Sequence, residues 1–180
     1  MPLDRFSAAW REEYVSSAFA GELDKESNEC VFCVLGAEPV DESTGVLKKT
    51  AYSFVVLNAF PYGSGHLLVL PFRHVGSLED LSDEEYQDFF FVLRDTVRAL
   101  KRAYGPEGMN VGMNLGHAAG AGIPQHLHAH ALPRWQGDTN FMTTIGETRV
   151  LPESLQSTWR KVHAHLYARR YRAVQVDSPP

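Results

Sequence analysis

Gln125-His126-Leu127-His128-Ala129-His130-Ala131-Leu132-Pro133-Arg134-Trp135 is the stretch whose reading decides the rest of the chain. Histidine returns at every second position, and the residues between, Leu127, Ala129 and Ala131, are apolar. Side chains of a β-strand alternate between faces, so a strand here presents three imidazoles on one side and an aliphatic surface on the other, with neighbouring rings about 6.5–7 Å apart. Pro133, which has no amide to give to a ladder, is expected to stop that strand. A solvated or core-satisfied histidine accounts for one such residue, but not easily for three in register. Two kinds of chemistry suit the pattern. One is a tri-imidazole metal site of the kind that activates water. The other is a nucleophilic histidine whose neighbours set its tautomer.

Upstream lies a loop of ten residues, Gly116 to Gln125, holding Gly116, Gly120 and Gly122 among Ala118, Ala119 and Ala121. Small residues let backbone amides approach an anion, so this loop reads either as a phosphate cradle or as a merely mobile connection. Asn110 to Leu115 alternates as the strand before it. Ser82-Asp83-Glu84-Glu85 is a capping box with an acidic first turn. From there Tyr86, Phe89, Phe90, Leu93, Val97, Leu100 and Tyr104 repeat at three and four until Gly105-Pro106, which predicts one long helix with a buried face and no chemistry of its own.

Val46–Thr50, Ala51–Asn58 and Gly65–Leu70 read as three strands, the last two joined by a turn at Ala59-Phe60-Pro61-Tyr62-Gly63-Ser64. Connections this short imply antiparallel pairing. Cys30-Val31-Phe32-Cys33 can chelate a soft ion, form a redox disulfide, or simply bury two thiols. At the start, Phe6, Trp10, Tyr14 and Ala18 share one face of a helix over 4–20, and core filling is the expected role of that stripe. Near the end, Leu155, Trp159, Val162 and Leu166 predict a helix over about 152–170, beginning near Pro152, with His163 and His165 on the surface. Residues 173–180 are expected to be a frayed tail.

The chain of 180 residues is long enough for one domain, 1–180, with a sizeable core, and 44% hydrophobic with 22% charged residues is an ordinary globular composition. A net charge of −5 argues against non-specific nucleic-acid binding. No apolar run reaches membrane-spanning length, and Met1-Pro2-Leu3-Asp4-Arg5 lacks the basic-then-apolar pattern of a signal peptide, so the expected location is the cytoplasm, away from membranes. Two cysteines are too few for a disulfide scaffold.

His126-Leu127-His128-Ala129-His130-Ala131-Leu132 resembles the His-φ-His-φ-His-φ-φ motif, φ being apolar, of the histidine triad (HIT) superfamily of nucleotidyl hydrolases and transferases. The similarity extends through Leu57-Asn58, Gly65-His66-Leu67-Leu68-Val69-Leu70-Pro71, Arg73-His74-Val75 and Pro133-Arg134-Trp135 to Gly137-Asp138-Thr139-Asn140-Phe141, covering about 28–145, and it is nearest the bacterial branch related to diadenosine polyphosphate hydrolases and phosphorylases. The resemblance implies an α+β fold, an antiparallel sheet of about five strands crossed by the long helix with N- and C-terminal helices added, commonly doubled in a homodimer. It implies that His128 is the nucleophile and forms a nucleotidyl intermediate, that His130 contacts phosphate, and that His66 lines the pocket in a supporting role, for which the rival is a strand-end histidine bonded to backbone. It places Asn58 on ribose, against its reading as a turn residue.

Asn114, Gly120, Gly122 and Gln125 complete the expected substrate contacts. In some relatives a Cys-x-x-Cys pair is completed by two histidines, here His74 and His126, giving a structural zinc site of Cys30, Cys33, His74 and His126. If that site exists, His126 belongs to the metal and not to phosphate. Many relatives carry Gln, Ser or Thr before the triad where this chain has Gly122-Ile123-Pro124, which leaves open whether water or phosphate accepts the nucleotidyl group. Arg134 can pair with phosphate and Trp135 can stack on a base, but holding the C-terminal segment is the favoured role for both. The expected substrate is a diadenosine polyphosphate or an adenylylated small molecule cleaved at its α-phosphate. The alternatives are a phosphorylase using orthophosphate on diadenosine tetraphosphate, a metallohydrolase with the triad on catalytic zinc, and a nucleotide-binding module with little turnover.

Overall fold

The structure, a computed structural model, describes residues 30–139 and 153–167. The expected helix over 4–20, the tail over 173–180 and the last residues of the C-terminal helix lie outside them. The elements are α1 (Val31–Ala37), β1 (Val46–Lys49), β2 (Ser53–Leu57), β3 (Leu67–Pro71), α2 (Asp83–Tyr104), β4 (Gly108–Met113), β5 (Ala129–Arg134) and α3 (Leu155–Leu166). The strands form one antiparallel sheet in the order β1-β2-β3-β5-β4, so the expected five-stranded α+β architecture is present.

Period-two alternation divides the strands between two cores. Val55, Leu57, Leu67, Val69, Ala129 and Ala131 face α2 and α3, where they pack with Phe89, Leu93, Leu100 and Val162. Phe54, Val56, Leu68 and Leu70 face α1, where Phe32 covers them. Every residue of β2 and β3 is therefore buried, which is why these strands read as continuous apolar runs. Burying one such side chain stabilises the fold by about 1.5–3 kcal/mol, so the two layers supply its main driving force. The long helix carries the expected capping box: Ser82 Oγ accepts from the Glu85 amide at 3.3 Å, and Glu85 accepts from the Ser82 amide at 2.8 Å. Gly105 closes it in the left-handed region, with φ at 55°.

Three expectations need correction. The triad segment is not a strand throughout: the ladder begins at Ala129, opposite Val69, and the backbone before it turns aside so that the Leu127 amide bonds the Val75 carbonyl at 2.6 Å. Pro133 does not stop β5, which runs on to Arg134. Beyond Ala131, which stands opposite Leu67 at the start of β3, only β4 flanks β5, and an outer flank tolerates a residue without an amide. The last helix starts at Leu155 and not near Pro152, because the Ser154 side chain caps it by accepting from the Ser157 amide at 3.2 Å. On that helix His163 is stacked on Trp159 with centroids 4.2 Å apart, so it is only half-exposed.

Candidate active site

Even-numbered residues from His126 to His130 turn toward the α1 side of the sheet while Ala129 and Ala131 face α2, as the alternation requires. Two constellations meet there.

The first holds four candidate metal ligands. Cys30 caps α1 and Cys33 lies in its first turn, His74 follows β3, and His126 precedes β5. One donor atom from each lies within 4.8 Å of every other. Sγ of Cys30 and of Cys33 stand 3.5 and 3.6 Å from His126 Nδ1, and Cys33 Sγ stands 3.3 Å from His74 Nδ1. A tetrahedron with ordinary zinc–sulfur and zinc–nitrogen bonds separates sulfur from nitrogen by about 3.6 Å, so the donors are already at the spacing of a closed site. The tautomer also fits. Nε2 of fully buried His126 donates to the Pro71 carbonyl at 3.0 Å, which leaves the Nδ1 lone pair facing the thiols. Burial pushes the protonation of His126 below the ordinary histidine range, which keeps that lone pair available.

The second constellation is His128, His130 and His66. His128 is buried, and its Nδ1 donates to the backbone carbonyl of His126 at 2.8 Å. Its proton is thus held on Nδ1, and the lone pair lies on Nε2. Burial moves its protonation below the ordinary range, so the ring is neutral at pH 7. The Phe32 ring packs 5.1 Å from it and 5.6 Å from His126. His130 stands 5.2 Å from His128, centroid to centroid, and its Nδ1 lies 2.9 Å from Nε2 of buried His66. On the far side of His66, Nδ1 receives the Tyr62 amide at 3.0 Å, so this histidine both meets the triad and bonds to backbone.

The remaining expected contacts fall as follows. Asn58 Oδ1 accepts from the Phe60 amide at 2.9 Å, as in the turn reading, while Nδ2 lies 3.3 Å from His66 Nδ1. Asn114 follows β4 and donates to the Gly120 carbonyl at 3.3 Å. In the glycine loop the amides of Ala119, Gly120 and Ala121 bond carbonyls of Gly116 and His117, so those three amides are turned inward rather than toward an anion. Gly122 is half-buried and Gln125 exposed. Pro124 and Gln125 are pressed against Gly76, where an added Cβ would meet the Pro124 carbonyl at 2.6 Å. Arg134 is engaged by Asp138 at 2.6 and 2.8 Å and by Asn110 at 2.6 Å, so it ties the turn after β5 to β4. Trp135 meets the Tyr104 ring edge to face. Phe32 and Tyr62 were not singled out in the sequence. The signal was an apolar residue bracketed by two cysteines in one case and an aromatic inside the Asn58-to-His66 turn in the other.

The chain matches the HIT domain family over residues 41–137, and it belongs to that family. It is 42% identical to an AP-4-A phosphorylase of Mycobacterium tuberculosis over 130 residues, 72% of this chain and 66% of that protein. The aligned region is thus just short of two thirds of that relative's length. It is 37% identical to a bis(5'-adenosyl)-triphosphatase of Saccharomyces cerevisiae over 92 residues, 51% of this chain and 44% of the relative. In fold it resembles a zinc-bound histidine triad family protein from Mycobacterium smegmatis, with a TM-score of 0.61 and 24% identity over 77% of this chain and 93% of the other. The C. elegans NitFhit protein gives a TM-score of 0.54 with 29% identity over 68% of this chain and 26% of the other.

Proposed function

We propose that the protein transfers the nucleotidyl group of a diadenosine polyphosphate, or of an adenylylated small molecule, through a covalent intermediate on His128. The observation that carries this reading is the Nδ1 bond of His128 to the His126 carbonyl, which leaves a neutral Nε2 lone pair for attack. Nε2 forms a bond to the α-phosphorus as the bond to the bridging oxygen breaks, and that oxygen leaves as a phosphate oxyanion to which His130 donates a hydrogen bond. The oxygen of the acceptor then replaces the histidine nitrogen on phosphorus, restores neutral His128 and releases its own proton to solvent. Similarity to the two diadenosine polyphosphate enzymes supports the substrate class. We place the nucleotide against Asn58, Asn114, Gly120, Gly122 and Gln125, which flank the rings along the chain.

Orthophosphate as the acceptor is a second reading, favoured by the 42% identity to the mycobacterial phosphorylase. Incubation with diadenosine tetraphosphate, with and without orthophosphate, separates the two: AMP plus ATP means water accepts, and ADP plus ATP means phosphate does. No nucleotide product in either arm would overturn the dinucleotide reading. Catalytic zinc on the triad is disfavoured, since the two ring nitrogens of His126 are engaged by the thiols and the Pro71 carbonyl. A binding module with little turnover would hold nucleotide without releasing monophosphate.

We assign structural zinc to Cys30, Cys33, His74 and His126. Bound there, the ion would tie α1 to the segment after β3 and to the segment before β5. Two cysteines placed as metal ligands with two histidines suit a reducing compartment, which supports a cytoplasmic location. Among the described residues no helix is long and apolar enough to cross a membrane. A second copy of the chain is the partner we assign to β4, an edge strand with Val111 on it and Leu115 just beyond it exposed.

A further inference from the structure

The His66–His130 hydrogen bond joins Nε2 of one ring to Nδ1 of the other at 2.9 Å. Two neutral imidazoles can share such a bond in either direction, and the direction decides which nitrogen of His130 keeps its proton. The far side of His66 removes the choice. Its Nδ1 lies 3.0 Å from the backbone amide of Tyr62, a group that can only donate. Asn58 Nδ2 lies 3.3 Å from the same nitrogen and 3.5 Å from Nε2, over the face of the ring, so the Tyr62 amide alone sets the role of Nδ1. Nδ1 of His66 is therefore an acceptor, its proton sits on Nε2, and the bond runs from His66 to His130. Nδ1 of His130 accepts in turn, so a neutral His130 carries its proton on Nε2. The Tyr62 ring packs on both imidazoles, 4.6 Å from His66 and 5.8 Å from His130, and lies within 17° of parallel to the latter.

We propose that Tyr62 is a positioning residue for nucleotidyl transfer: its backbone amide fixes the tautomer of His66 and its ring holds the pair in line, so that His130 meets the substrate as an Nε2 hydrogen-bond donor. The inference rests on the reading of the site as a nucleotidyl transferase. A departing phosphate oxygen needs a donor at that point, whereas the reversed tautomer would turn a lone pair toward an anion.

Imidazole ¹⁵N spectra of the full chain loaded with zinc and free of nucleotide, at pH 8, test the tautomers directly. His66 and His130 are each expected to show a protonated Nε2 and an unprotonated Nδ1; a His66 protonated on Nδ1 overturns the proposal. Tyr62→Leu keeps the amide and loses the ring, so the His66 tautomer should persist while kcat falls about tenfold with KM within about twofold, and Tyr62→Phe should restore wild-type turnover. An unchanged kcat in Tyr62→Leu overturns the part given to the ring. Tyr62→Pro removes the donor and should give mixed tautomers at His66 with kcat down about a hundredfold. Unchanged tautomers in a folded Tyr62→Pro variant overturn the part given to the amide. The spectra require no substrate, so a protein with the expected tautomers and no activity on any nucleotide tells against the transferase reading and leaves the direction of the hydrogen bond standing.

Discussion

The backbone carbonyl of His126 accepts the Nδ1 proton of His128 at 2.8 Å, so a candidate metal ligand and the ring proposed as nucleophile are tied through a single carbonyl. Anything that holds residue 126 in place also holds the orientation of the ring at 128. His128→Ala removes the nucleophile and should lower turnover on the order of 10⁴-fold or more while far-UV circular dichroism stays at the wild-type shape. A folded His128→Ala protein with turnover within tenfold of wild type would dispose of the covalent route.

The ligand set gathers α1, the segment after β3 and the start of β5 around one point, so metal binding should report on global stability. With free zinc about a hundredfold above its dissociation constant, linkage contributes about 2.7 kcal/mol, or roughly 5–10 °C in Tm for a chain of this size. Elemental analysis should find one zinc per chain, and Cys33→Ser should lose both the metal and that increment in differential scanning calorimetry. Equal Tm values with and without chelator would remove the structural role.

Gly65 stands at φ 77°, and an added Cβ would lie 2.9 Å from both Pro133 Cγ and Tyr104 Cε2. Left-handed backbone costs a residue with a Cβ about 1–2 kcal/mol, and overpacking typically adds about 1–3. Gly65→Ala should therefore destabilise the fold by about 2–5 kcal/mol in urea titration. Because His66 is the next residue, its kcat should fall further than that of a core variant of equal stability.

Glu85 is paired with Arg73 at 2.6 Å and accepts the Ser82 amide, which together lower its carboxyl from 4.5 to about 2. A carboxylate with a depressed value binds fewer protons folded than unfolded, so its contribution is full above pH 4.5 and is lost as pH falls from 4.5 toward 2. Glu85→Gln should flatten the acid limb of a stability–pH curve in that window and lower stability at pH 7. A variant whose acid limb matched wild type would show that the pair contributes nothing measurable, as for many surface ion pairs.

Elements governed by local rules were legible. The capping box at Ser82, the stop at Gly105 and the apolar runs of β2 and β3 appear where the residues place them. The four candidate ligands were brought together by family resemblance, because Cys30 and His126 are 96 residues apart and no period links them. What could not be read depends on closure of the chain. The ladder starts at Ala129 and not at His126 because Val75 draws the Leu127 amide aside. Arg134 is committed to Asp138 and Asn110, partners supplied by a turn and a neighbouring strand. Tyr62 reaches His66 and His130 only after β3 and β5 pair.

One consequence follows from the way His130 and its neighbours divide between the two sides of β5. Ala129 and Ala131 seal the interior beneath α2 while the imidazole between them faces His66. Sliding β5 by a single residue against β3 would exchange those surfaces, burying a polar ring in aliphatic packing and leaving methyl groups opposite His66. The orientation of the histidine face and the solidity of the interior are thereby read from the same frame, and the strand has no viable half-step between them.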